Sequence, residues 1–123
     1  MTQEDKQLLL KDLSARLPYG VKCTMWSGKA IAHSIIETLR IGGLDAFMCN
    51  DSFSIKPYLR PMSSMTENER KEYMRLSDLI TVDGVLVSSY ETFDWLNTHH
   101  FDYRGLIKKG LAIEASEGMY KTE

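Results

Sequence analysis

The chain has 123 residues, 43% hydrophobic and 26% charged, the proportions of a folded domain rather than a disordered one, and it is long enough to bury roughly two-thirds of its unfolded surface as one unit. Fifteen basic and 17 acidic residues leave a net charge of −2, which excludes a global pull toward nucleic acid or an anionic membrane but not a local patch. No apolar run approaches the roughly 18 residues of a spanning helix, and the opening MTQEDKQ lacks the basic-then-apolar order of an export signal, so a cytoplasmic protein is expected.

Thr2 and Asp5 open a first helix in the manner of a capping box. Leu9, Leu10, Leu13 and Leu17 share one face, and Pro18 stops it. Val21, Cys23 and Met25 alternate with Lys22, Thr24 and Trp26, the period of a strand, with Ser27-Gly28 as the turn. Ala30–Ile41 fits a helical face through Ile31, Ile35, Ile36 and Leu39, with Gly42-Gly43 as its cap. It also fits a strand with a bulge near Ile36. The strand is the preferred reading, because an alternating strand followed by a tight turn suggests a hairpin. Ala46–Cys49 and Phe53–Lys56 read as two further strands joined at Asn50-Asp51-Ser52.

The strand-to-helix change is marked most sharply at Ser54–Leu76. Pro57 and Pro61 bracket a segment that cannot donate a full set of ladder hydrogen bonds, and Thr66 with Glu69 forms a capping box. A second helix is predicted from Glu67 to Asp78, docking through Tyr73, Met74 and Leu76. Asp83-Gly84 between Ile80-Thr81-Val82 and Val85-Leu86-Val87 is a short hairpin signal. Ser88 with Glu91 caps a third helix carrying Phe93, Trp95 and Leu96. Asp102 is placed to cap a fourth, Tyr103–Lys109, closed by Gly110 and Leu111. A polar tail, Glu114–Glu123, is expected to fray.

These elements predict an α+β domain spanning residues 1–123. A helix and a small curled antiparallel sheet or partly open barrel, Src-homology-3-like, occupy 1–61. A mainly helical part follows at 62–113, and the polar tail at 114–123.

The chemistry-bearing residues are few. Cys23 and Cys49 have no CxxC spacing and read as two small buried hydrophobes, so neither a metal nor a cofactor is expected. No phosphate loop, HExxH or nucleophile elbow is present, and the chain is read as not an enzyme. His99 and His100 point about 100° apart on a helix and do not converge on a metal; the helix dipole accounts for them. Trp95, His99, His100, Tyr103 and Arg104 form an aromatic and polar cluster of the kind enriched at protein interfaces. The alternative is single-stranded nucleic acid on the sheet, held by Lys22, Trp26, Lys56 and Arg60, with Tyr58 and Leu59 read as pinning the proline turn.

The blocks IKPYLRPMSSMTENE and FDWLNTHHFDYRGLIKKGLAIEASEGMY, with EDKQLLLKDLSARLPYGVKC near the start, resemble a family of small uncharacterised proteins of Bacteroides-group gut bacteria and their phages and prophages. The resemblance implies a phage or prophage origin and a bacterial cytoplasmic setting. Ala30–Ser54 and Ser77–Ser89 read as its variable part. It carries no activity and no site residues. The expected function is a phage-derived accessory module that binds a host or phage protein, without a membrane. Beside it stand nucleic-acid binding and sequestration of a nucleotide signal as a counter-defence device.

Overall fold

The computed structural model describes residues 2–28, 35–76, 80–82, 85–87 and 90–120. Thr2 begins the first helix, α1 (Gln3–Arg16), by accepting the Asp5 amide at 3.0 Å. The buried stripe of α1 is Leu9, Asp12, Leu13 and Arg16, at the i, i+3, i+4, i+7 spacing of one helical face. Two of its four members are therefore charged. Pro18 ends the helix in a short 3-10 turn, Leu17–Tyr19.

Val21 and Cys23 are fully buried and lead into β1 (Lys22–Ser27). β2 (Ile35–Thr38) pairs antiparallel with β1 in unbroken register from Lys22↔Thr38 to Met25↔Ile35. The strand reading thus holds at 35–38 and no bulge occurs at Ile36. Residues 29–34, the rest of that expected strand, lie outside the described residues.

The segment after β2 corrects two expectations. Ile41 and Gly42-Gly43 belong neither to a strand nor to a turn, and Ala46–Cys49 is not a strand. Together they form α2 (Ile41–Cys49). Glycine disfavours a helix interior by about 1 kcal/mol, but here the missing side chain is useful: a Cβ on Gly43 would stand 3.2 Å from Met25 Sδ. The helix therefore lies close on the sheet and inserts Phe47 into the core, a burial worth roughly 1.5–3 kcal/mol. Asn50 Oδ1 then accepts the Ser52 amide at 2.9 Å, so the expected turn joins a helix to a strand.

β3 (Phe53–Leu59) runs straight through Pro57, where a bracketed turn was expected. The Leu59 carbonyl accepts from Ala115 on the far side from β1, and alternation puts Pro57 on that same side. Its missing N–H therefore removes no bond to β1. The sheet order is β2-β1-β3-β6, where β6 (Ile113–Glu114) is parallel to β3. The sheet is open and mixed among the described residues, rather than wholly antiparallel or closed. β6 also overturns the frayed tail: Ala115 bonds Leu59, and the Tyr120 hydroxyl accepts the Lys22 amide at 2.8 Å and donates to the Tyr58 carbonyl at 2.7 Å. Residues 121–123 lie outside the described residues.

The helical part begins with a second 3-10 turn, Met62–Ser64, and α3 (Glu67–Leu76). Its capping box forms as expected, with the Thr66 amide donating to Glu69 Oε1 at 2.9 Å and the Glu69 amide to Thr66 Oγ1 at 3.2 Å. Tyr73 docks on Trp95, but Met74 is 63% exposed, because one neighbouring helix can cover only one face. β4 (Ile80–Val82) and β5 (Val85–Val87) pair antiparallel as expected, with Val82 opposite Val85; Asp83-Gly84 lies outside the described residues. α4 spans Tyr90–Thr98; the proposed cap at Ser88 lies outside the described residues.

The predicted fourth helix, Tyr103–Lys109, is absent: residues 103–104 and 106–110 are turns. Asp102 still caps, its carboxylate accepting the Leu106 and Ile107 amides at 2.8 and 3.0 Å. Gly105 at φ +71° interrupts the helix. The single turn that follows closes through Leu111 to Leu106 and Gly110 to Ile107, the paired bonds of a Schellman motif. No helix among the described residues is long and apolar enough to cross a membrane.

Candidate interaction site

α4 also ends in a Schellman motif: Phe101 bonds back to Leu96 and His100 to Asn97. That motif requires a left-handed residue, and His100 supplies it at φ 62°, the one non-glycine residue with positive φ among those described. The reversal sends Phe101 against the sheet, where the Arg60 amide donates to the His100 carbonyl and the Asp102 amide to the Arg60 carbonyl, each at 2.8 Å.

This placement separates the expected cluster into two groups. Trp95 lies in a ring stack, with centroids 5.9 Å from Tyr73, 4.4 Å from His99 and 5.6 Å from Phe101. His99 Nδ1 lies 2.9 Å from the Trp95 carbonyl, which can only accept, so the proton is on Nδ1. Arg60 lies over the Phe101 ring at 4.3 Å and holds Glu69 with two bonds of 2.7 and 2.8 Å. Arg60 chiefly, with the Thr66 amide, holds the Glu69 carboxyl down at about 2. These groups tie α3 to the sheet and to α4.

Tyr103 and Arg104 belong to the second group, centred on α1. Buried Asp12 accepts from Arg16 Nε at 2.7 Å and from Arg104 Nε at 3.1 Å. Arg16, also fully buried, donates to the Phe101 carbonyl at 2.6 Å. Both guanidinium carbons lie 5.0 Å from the Tyr103 ring, and the Tyr103 hydroxyl donates to Asn97 at 2.9 Å. Removing one member of such a buried pair costs about 3–5 kcal/mol. The Asp12 and Arg16 roles were missed in the sequence, although their i, i+4 order on the leucine face was the signal.

Phe93 completes this second group. It meets the Tyr103 ring edge-on at 5.6 Å and is 46% exposed. The sequence reading has it only as one of three large side chains carried by that helix. The remaining cluster member, His100, faces inward. Its ring stacks on Tyr120 at 3.8 Å, and its Nδ1 has no hydrogen-bond partner among the described residues. Burial first, then the positive charges of Arg16, His99, Arg60 and Lys22, pulls its pKa down to about 4, so it is neutral at pH 7.

Of the two thiols, expected to be buried, only Cys49 departs from expectation. Cys23 is buried, and burial with neighbouring Asp12 pushes it up to about 12, so it stays protonated. Cys49 is exposed, because α2 turns that face outward. Among the described residues no three His, Cys, Asp or Glu side chains converge as a metal site.

Of the residues considered for nucleic acid, Lys22, Trp26 and Lys56 share the outer sheet face by register and alternation. Arg60 follows at the same parity just past the end of β3, but its guanidinium is engaged by Glu69 and Phe101. Tyr58 does join them, by parity with Lys56. No family model matches this chain, and no curated protein or solved structure matches it either.

Proposed function

We propose that this chain is a non-enzymatic protein-interaction module, a phage- or prophage-derived accessory protein acting in a bacterial cytoplasm. Its partner face is formed by Phe93 with Tyr103 and Arg104. The observation that carries this reading is the presentation of Phe93: a large ring left 46% exposed on a tyrosine held by two guanidiniums and an asparagine. A ring that is already ordered loses little freedom on binding, and such preorganised aromatics dominate interface energies. The fitting partner offers an apolar pocket.

Tyr103 and Arg104 are poor test sites, since both support the Asp12 network. Phe93→Ala removes the half-exposed ring and its edge contact with Tyr103, and leaves the Asp12 network in place. In pull-downs from nuclease-treated lysate of a Bacteroides-group bacterium, wild type is expected to retain one dominant protein. Phe93→Ala is expected to lose it, by about 2 kcal/mol or more in affinity, while unfolding cooperatively with a stability lowered by only about 1 kcal/mol for the lost Tyr103 contact. Undiminished capture by the variant removes this face from consideration.

A further inference from the structure

We propose that the outer face of the β2-β1-β3 sheet is a binding site for single-stranded nucleic acid, separate from the Phe93 face. Register and alternation place Ile36 and Thr38 of β2, Lys22, Thr24 and Trp26 of β1, and Ser54, Lys56 and Tyr58 of β3 on this side. The opposite side, with Cys23, Ile55 and Leu59, belongs to the core under α1 and α2.

Thr24 at the centre of this face is buried, but the rings and Lys56 around it are unspent, in contrast to the C-terminal rings. Among the described residues neither Trp26 nor Tyr58 stacks on another ring, and Lys56 has no carboxylate partner. Lys22 Nζ donates to the Met119 carbonyl at 3.2 Å, a neutral acceptor rather than a carboxylate. Among the described residues, the paired strand positions of this face carry two lysines and no carboxylate, within a chain of net charge −2. It is a local positive field on an acidic protein, complementary to a polyanion.

Geometry selects the form of that polyanion. Trp26 stands opposite Ser54, and four residues of strand advance, about 13 Å, lead from Ser54 to Tyr58, with Lys56 midway. Two aromatic planes with a cation between them suit unpaired bases that stack while a phosphate meets the ammonium. A duplex hides its base planes and cannot use the rings. Ile36, 56% exposed at the edge of the same face, extends the apolar platform.

The test is fluorescence anisotropy with labelled oligothymidine and oligouridine of about ten nucleotides, within the site sizes of sheet-based binders. A matching DNA duplex and a polyglutamate peptide serve as competitors. Two lysine–phosphate contacts predict a log–log salt slope of about −1.4 for single strands, falling to about −0.7 in Lys56→Gln. Trp26→Ala is expected to weaken binding at least about fivefold, the lower end for losing one stacked base, and Phe93→Ala is expected to bind as wild type. Should Trp26→Ala fail to fold, Lys56→Gln keeps the test, since its ammonium belongs to no ion pair among the described residues. No binding at low salt overturns the proposal, as does binding unaffected by Lys56→Gln. Equal affinity for the duplex, or displacement by polyglutamate at equal charge, overturns it in favour of a general anion surface.

Discussion

His100 shows how one residue can hold several elements under strain. A non-glycine side chain at positive φ is uncommon, yet here it sits at the end of α4 with its ring against Tyr120. Its pKa falls from an ordinary 6.5 to about 4. The unfolded chain therefore binds more protons between those values. This contribution to stability is complete above pH 6.5 and is lost as pH falls toward 4. His100→Asn keeps a residue that tolerates the left-handed region and removes the titration. Urea unfolding across pH 4 to 6.5 is expected to show a flatter stability profile for the variant than for wild type; parallel profiles contradict the assignment. His99 and His100 were recognised in the sequence as a pair that does not converge. That one of them closes a helix and packs on a tail tyrosine was not legible, because the tail contact spans twenty residues of chain.

At the level of elements, local signals were read well and tertiary ones poorly. The Thr66–Glu69 box, the Asp83-Gly84 spacing and the alternation of β1 were all visible, since each depends on neighbours within a few residues. α2 was misread because glycine propensity argues against a helix, whereas contact with Met25 rewards it. The last helix failed at Gly105, although its cap at Asp102 was identified correctly. Glu69 carries a link that propensity alone cannot reveal: it caps α3 and also binds Arg60 at the end of the sheet. Its pKa falls from 4.5 to about 2, so the stabilisation is present above pH 4.5 and is lost as pH falls toward 2. Glu69→Gln is expected to be less stable than wild type at pH 7 and to lose less stability over that acidic window. Thr66→Ala keeps the Arg60 pair and is expected to cost only about 1 kcal/mol. Equal costs for the two variants in chemical denaturation contradict the double role.

Across the molecule, the aromatic and cationic residues divide into spent and unspent sets. Trp95, Tyr73, Phe101, Arg60, Arg16 and Asp12 hold the helical part to α1 and the sheet. Phe93 on one surface and Trp26, Lys56 and Tyr58 on another retain faces for a ligand. Sequence composition identified the right residue types, but only the register and the buried Asp12 pair decide which of them remain available. Two surfaces with different chemistry imply separable binding. The most direct measurement is one pull-down series with wild type, Phe93→Ala and Lys56→Gln, each recovered with and without nuclease and quantified by mass spectrometry. The account predicts that Phe93→Ala loses the nuclease-resistant protein and keeps the nucleic acid, while Lys56→Gln does the reverse. Retention of that protein by Phe93→Ala would contradict it.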